Sequence, residues 1–132
     1  MRRAYTLNLE KDNEQISVDL RLDIEGVLAI KKKFSMSPVE FIPDCIQDPE
    51  KIVFLFDQAL NFPENKNVVT KGKELYNLLV DNGKAGLEGF WDIVSGIAVE
   101  SGVISEKMGE RMNSNISRTF DSMFAEEPEK NV

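Results

Sequence analysis

The stretch DNGKAGLEGF, residues 81–90, is the part of this sequence whose residue types could bind phosphate. It places Gly83, Gly86 and Gly89 around Lys84. A phosphate loop needs a strand before it and a serine or threonine after its lysine, so that backbone N–H groups and a hydroxyl converge on the ligand. Here alanine follows the lysine, a helical pattern precedes the loop, and the glycines lie three apart, unlike the G-x-G-x-x-G fingerprint. The stretch therefore favours a joint between two helices, in which Gly83 ends the first and the other two glycines let the second begin close against it.

The residues that other kinds of catalytic or metal site require are also missing from the sequence. The sequence has no histidine, and Cys45 is its one cysteine, so triads, cysteine–histidine pairs and internal disulfides are excluded. Asp44, Asp48 and Glu50 lie near one another, but helix starts give them a capping role. No window has the ligand spacing of a calcium loop. We expect no catalytic residue, no metal and no cofactor, and we expect Cys45 to be a small core residue.

Charge and hydropathy restrict the partners. The 132 residues carry a net charge of -7, and the chain after residue 36 has nine basic residues against seventeen acidic ones. Nucleic-acid binding depends on neutralising phosphates, so we expect no nucleic acid, and we interpret Lys31, Lys32 and Lys33 as a solvated helix face. No apolar run reaches the roughly 18 to 20 residues of a membrane span. The start lacks the apolar run of a signal peptide, so we expect a cytoplasmic protein without a membrane.

Apolar and polar residues alternate in two runs near the start of the chain. The first run is Tyr5, Leu7 and Leu9, and after the polar EKDNEQ the second is Ile16, Val18, Leu20, Leu22 and Ile24. A period of two over this length indicates half-buried strands. We predict an antiparallel hairpin over about residues 3–24, with helices covering its apolar face because a lone hairpin is marginal in water.

Helical spacing follows over about residues 25–124. SPVE and DPEK place Ser37 and Asp48 at N-caps, each with proline at the first helical position, and Thr70 and Ser105 are further cap candidates. The predicted fold is α+β, one domain over residues 1–125 with the hairpin packed on a mainly α-helical body of about five helices. Residues 126–132 are predicted to be a charged flexible tail. The residues expected to face inward from the helices are Val27, Leu28, Ile30, Phe34, Ile52, Leu55, Phe56, Ala59, Leu60, Leu75, Leu78, Leu79, Phe90, Trp91, Val94, Ile97 and Ala98.

The last helix carries a narrow apolar stripe on an otherwise polar surface. Its members fall at steps of three or four and are Met108, Met112, Ile116, Phe120, Met123 and Phe124. Methionine adapts to varied partners and is common on binding surfaces. Two alternatives stay open for this stripe: it folds back on the protein's own core, or it binds a partner or a second copy.

The order of these elements, with particular strings, resembles the tail assembly chaperones of long-tailed (siphovirus-type) bacteriophages and prophages of Gram-positive bacteria. The strings are AIKKKFSMSP, DPEKIVFLFDQAL, GKELYNLLVDNGKAGLEGFWDIVSGIAVESGVIS and the following EKM. They cover roughly residues 4–115, and the polar end of the last helix lies outside the likeness.

This resemblance implies a non-catalytic protein of the host bacterial cytoplasm that is absent from the finished virion. It would coat the tape measure protein, keep that long helical protein soluble, and pass it to tail tube protein, acting as a homo-oligomer. A small intracellular adaptor that docks a host protein through the same last helix is the alternative function.

Overall fold

A computed structural model describes residues 3–125 and confirms the predicted α+β class. Within residues 3–125, two antiparallel strands precede six helices, where about five helices were expected. The predicted tail, residues 126–132, lies outside the described residues. The elements are β1 (Tyr5–Lys11), β2 (Glu14–Leu20), α1 (Ile24–Phe34), α2 (Pro38–Cys45), α3 (Pro49–Leu60), α4 (Gly72–Asp81), α5 (Leu87–Glu100) and α6 (Glu106–Ala125).

The hairpin turns over two residues, Asp12 and Asn13, whose φ angles of 51° and 65° are both positive. Such a turn matches the twist of its flanking strands, and Asp and Asn are the non-glycine residues that adopt it most easily. The predicted second strand was too long, because β2 ends at Leu20 and α1 begins at Ile24. Between them, the Leu22 N–H donates to Ser101 Oγ at 2.8 Å, which ties the chain to the end of α5.

Each outer edge of the hairpin is held by an asparagine side chain. On the β1 edge, Glu10 N–H donates to Asn82 Oδ1 at 2.8 Å and Asn82 Nδ2 donates back to the Glu10 carbonyl at 3.0 Å. On the β2 edge, Asn67 exchanges the same pair of bonds with Asp19, both at 2.7 Å, and also donates to the Leu60 carbonyl. The two amides therefore complete backbone hydrogen bonding where a neighbouring strand would otherwise do so.

Within the described residues, all the buried apolar side chains except Phe62 belong to one cluster between the hairpin and the helices. The hairpin contributes Leu7, Leu9, Val18 and Leu20, each at most 5% exposed. The predicted inner faces of α3, α4 and α5 are confirmed, since all their named residues are buried. On α1 one expectation was wrong: Leu28 is 55% exposed, and the packed residues of that helix are Val27, Ile30 and Phe34.

Three predicted helix caps are confirmed. Ser37 and Glu40 form a reciprocal capping box, and Asp48 Oδ1 accepts from the Glu50 and Lys51 N–H groups. Ser105 Oγ accepts from Met108 N–H at 3.0 Å at the start of α6. These caps satisfy N–H groups that have no partner inside the helix.

The expected cap at Thr70 was wrong. The N-cap residue of α4 is Lys71, whose side chain makes no capping bond; the Gly72 N–H instead donates to the Asp57 carboxylate of α3. A Cβ at Gly72 would lie 2.3 Å from the Val53 carbonyl oxygen, so only glycine lets α4 begin this close to α3.

Candidate functional site

The candidate site is the apolar stripe of α6, which lies antiparallel along α5. Near the start of α6, the position of a Cβ on the buried Gly109 would be 2.8 Å from Val99 Cγ2, so the two helices are in close contact there. Further along, Trp91 Nε1 donates to Asn113 Oδ1 at 2.9 Å. The residue number rises from Gly109 to Asn113 on α6, whereas that of the contacted residue falls from Val99 to Trp91 on α5. These two contacts therefore fix both the position and the antiparallel direction of α6.

The first half of the stripe packs on the protein's own core. Met112 is 8% exposed, and Met108 and Ile116 are half-buried against the same cluster. For these three residues the fold-back alternative describes the observed packing. Phe120, Met123 and Phe124 also lie in α6, but their side chains fall outside the described part of the chain. That the stripe binds a partner or a second copy stays a prediction.

The far end of α6 passes beyond the start of α5. Asn113 of α6 lies beside Trp91 of α5, to which it is hydrogen-bonded. Trp91 is about four residues from the first residue of α5, whereas α6 continues for about twelve residues beyond Asn113. At 1.5 Å per residue, roughly 12 Å of α6 therefore has no α5 beside it. We call residues 117–125 the α6 end. Its described side chains are all exposed: Ser117, Arg118, Thr119, Asp121 and Ser122.

A second apolar surface, on α1, was missed by sequence reasoning. Ile24 and Leu28 are 56% and 55% exposed and lie one turn apart on the outer side of the helix. Ile24 also borders a surface cavity of about 370 Å³ beside Phe62 and Pro63. The signal was present as an i, i+4 pair, but the alternating run through Ile24 assigned that residue to a strand.

A surface cavity lined by acidic residues lies between β1, α5 and α6. This cavity, about 380 Å³, has Tyr5 on one side and Asp92, Glu106 and Glu110 around it. Burial, and then the charge of Asp92, raise the pKa of Tyr5 above its usual value. Both effects favour the protonated phenol at neutral pH.

The glycine-rich stretch is a helix joint, as expected. Gly83 has a φ of 68°, and the N–H groups of Gly83 and Lys84 donate to the Val80 and Leu79 carbonyls at the end of α4. A Cβ at Gly89 would lie 2.2 Å from the Lys84 carbonyl oxygen, so α5 begins directly against the joint. The N–H groups of Gly83 and Lys84 are thus already bonded within the joint and are not free to bind a phosphate.

Cys45 is a core residue, as expected. Its side chain is fully buried, and its Sγ donates to the Ile42 carbonyl at 3.3 Å. Burial, and secondarily Asp44, raise the pKa of the thiol to about 12. The nearby acids have structural partners: Asp44 pairs with Lys51, and Asp48 caps α3.

We predict that the folded protein protects Cys45 from thiol reagents. At pH 8, labelling of the native protein should be at least about 100-fold slower than in concentrated urea, because only the accessible thiolate reacts. Mass spectrometry of timed aliquots measures both rates. Equal rates would contradict the buried position of this thiol.

Within residues 3–125, no three acidic or cysteine side chains come together as a group that could hold a metal ion. Over the same range no helix combines the length and the apolar character needed to cross a membrane. A scan against protein-family models gave no match, and searches of curated proteins and of solved structures gave none either.

Proposed function

We propose that this protein is a non-catalytic tail assembly chaperone of a long-tailed bacteriophage or prophage, which binds and solubilises the tape measure protein in the host cytoplasm. The sequence resemblance supplies the identity of the client. The observation that carries the proposal is the α6 end, a stretch of amphipathic helix that extends past the helix on which it is anchored.

In this proposal the two halves of the stripe act differently. Met108, Met112 and Ile116 anchor α6 on the core, and the Trp91–Asn113 hydrogen bond fixes its position. The client contact falls to Phe120, Met123 and Phe124, because the first three residues are covered unless α6 detaches. Anchoring lowers the entropic cost of binding, since the helix need not be ordered at the moment of contact.

The physical chemistry of the client suits this arrangement. A long helical protein presents repeated amphipathic faces, and a helix that lays apolar side chains into such a face is a common mode of recognition. Methionine and phenylalanine at successive turns provide adaptable apolar surface for many similar but not identical sites. The net charge of -7 favours the solubility of a complex that holds several copies on one client.

The first test is co-expression with the tape measure protein of the same phage or prophage. Phe120→Asp should lower the fraction of client that stays soluble and co-purifies by about tenfold, as for loss of a central apolar contact. Ser117→Asp is the matched control, because it adds the same charge to an exposed position on the same helix end. Quantitative gel analysis of soluble and pelleted client measures the effect.

Two outcomes would count against the proposal. If the client is equally soluble with and without the wild-type protein, this chain is not its chaperone. If Phe120→Asp and Ser117→Asp behave alike while wild-type protein does solubilise the client, the contact lies elsewhere than the α6 end. Binding of the wild-type protein to one host protein, with no effect on the client, would favour a small adaptor instead.

A further inference from the structure

We propose that Asn82 is a site of spontaneous deamidation whose rate is governed by the fold. The reaction is intramolecular: the backbone nitrogen of Gly83 attacks Cγ of Asn82, and the new carbon–nitrogen bond closes a five-membered succinimide ring. The side-chain NH2 group leaves as ammonia, with the proton that the Gly83 nitrogen gives up. Water then opens the ring at either carbonyl and leaves aspartate or isoaspartate at position 82.

The sequence Asn82–Gly83 is the one in which this reaction is least hindered, because glycine has no side chain beside the attacking nitrogen. No other asparagine of the sequence is followed by glycine. The fold needs each residue for a separate reason. Gly83 ends α4 with a φ of 68°, which suits glycine, and the Asn82 amide hydrogen-bonds the β1 edge. A chemically labile pair therefore stands where two structural requirements meet.

In the folded protein, both reacting groups are held by hydrogen bonds. Asn82 Oδ1 accepts from the Glu10 N–H at 2.8 Å, and its Nδ2 donates to the carbonyls of Glu10 at 3.0 Å and Leu78 at 2.7 Å. The Gly83 N–H donates to the Val80 carbonyl at 3.1 Å. The amide that must leave and the nitrogen that must attack are thus both engaged elsewhere.

The backbone at Asn82 is also in the wrong conformation for ring closure. Its ψ of 5° leaves the Gly83 nitrogen nearly eclipsed with the backbone nitrogen of Asn82. The ring requires the Gly83 nitrogen on the side of Cβ instead, so ψ has to rotate far from this value, and the rotation breaks the hydrogen bonds that end α4. We therefore expect deamidation only from molecules in which this end of α4 has opened locally.

The product cannot restore the contact with β1. A carboxylate at position 82 has no hydrogen to donate, so the Glu10 and Leu78 carbonyls would both face negative oxygen atoms. Isoaspartate also adds a carbon to the main chain just before the glycine that ends α4. Because the change is irreversible, molecules that have opened at this joint accumulate without the amide that holds the β1 edge.

Timed incubation of the whole protein in mildly alkaline buffer tests the proposal. Trypsin cleaves after Lys73 and Lys84 and releases residues 74–84 as one peptide, which contains both Asn82 and Asn77. Mass spectrometry of this peptide should show that Asn82 deamidates at least about tenfold more slowly in the native protein than in concentrated urea, because only opened molecules react. Asn77 is followed by leucine and is the internal control, which should stay intact under both conditions.

Two proline variants test whether the hydrogen bonds to β1 give the protection. Glu10→Pro removes the N–H that holds Asn82 Oδ1, on the side of β1 away from β2, and should raise the native rate at least about fivefold. Asn8→Pro makes the same change two residues earlier on the same edge and should leave the rate at the wild-type value. Urea unfolding of both variants establishes that each is folded.

Gly83→Ala tests the chemistry without depending on the fold. In urea it should slow deamidation of Asn82 severalfold, because a methyl group then hinders the attacking nitrogen. Equal rates in native protein and in urea, a folded Glu10→Pro variant that reacts no faster than the wild type, or an unchanged rate for Gly83→Ala in urea would each overturn the proposal.

Asn82→Asp tests the consequence, because it has the side chain of one product. It should raise the equilibrium constant of unfolding by about tenfold, since two carbonyls lose their donor. Asn77→Asp, an equal change of charge at an exposed position of α4, should leave it near the wild-type value. If the two variants were equally stable in urea, deamidation would not release the β1 edge.

Discussion

Replacing Phe56 with alanine should lower the free energy of unfolding by about 3–5 kcal/mol, the largest effect that we expect from one substitution. Phe56 is fully buried on α3, and its ring centre lies 6.3 Å from that of Phe90 on α5. Its removal leaves a cavity between these helices in addition to the lost transfer free energy. Urea denaturation followed by far-UV circular dichroism measures the change.

The matched control is Val80→Ala. Val80 is 51% exposed on α4, so its truncation removes little buried surface and should cost less than about 1 kcal/mol. A loss below 1 kcal/mol for Phe56→Ala, with an unchanged dependence on urea concentration, would mean that the packing between α3 and α5 is not as described.

Asn67→Ala should cost about 2–4 kcal/mol, although Asn67 lies outside the helices and strands. Its side chain accepts from Asp19 N–H and donates to the Asp19 and Leu60 carbonyls. Truncation leaves these backbone groups without partners at a partly buried position, which costs more than the net value of the lost bonds. Thermal or urea unfolding provides the measurement.

Two further variants make this prediction specific. Asn67→Asp should destabilise the protein as well, because a carboxylate would replace the donating amide beside two carbonyl oxygens. Asn77→Ala should change the stability by no more than about 0.5 kcal/mol, since Asn77 is exposed on α4. If Asn67→Ala lowered the free energy of unfolding by no more than Asn77→Ala, the hydrogen bonds of Asn67 to Asp19 and Leu60 would not contribute to stability.

Features governed by neighbours in the sequence were predictable. The alternating residues of the hairpin and the buried faces of α3, α4 and α5 follow from the period of apolar residues alone. The caps at Ser37, Asp48 and Ser105 were equally predictable from the sequence, because a capping side chain acts within three residues of its own position. Such local signals were enough for the fold class and for most of the core.

Features governed by distant residues were not predictable. Thr70 had the right chemistry for a cap, but the Asp57 carboxylate from another helix already accepts from the first amide of α4. Leu28 fitted the inner stripe of α1 by residue type, yet the packing against α3 selected Val27, Ile30 and Phe34 instead. One sequence does not show which neighbour a helix will meet, and that neighbour decides which side is covered.

The α6 stripe illustrates the same limit at the candidate site. Its spacing predicted an amphipathic helix, and the structure contains that helix. Spacing alone did not show that Met112 would be buried in the core cluster while α6 continued past the start of α5. The division of the stripe into an anchored part and a projecting part depends on the relative lengths and offset of two helices, which are tertiary quantities.

The side-chain amides of Asn82 and Asn67, which are hydrogen-bonded to the backbone of Glu10 and Asp19, also limit the ways in which this molecule can aggregate. A two-stranded sheet normally offers two open edges to which a foreign strand can add, and such addition is the usual route to strand exchange and amyloid-like stacking. Here an incoming strand would have to displace a side-chain amide from either edge before it could pair along the full length. Both edges of the β-structure therefore resist polymerisation, while the outer surfaces of the helices stay open to contact.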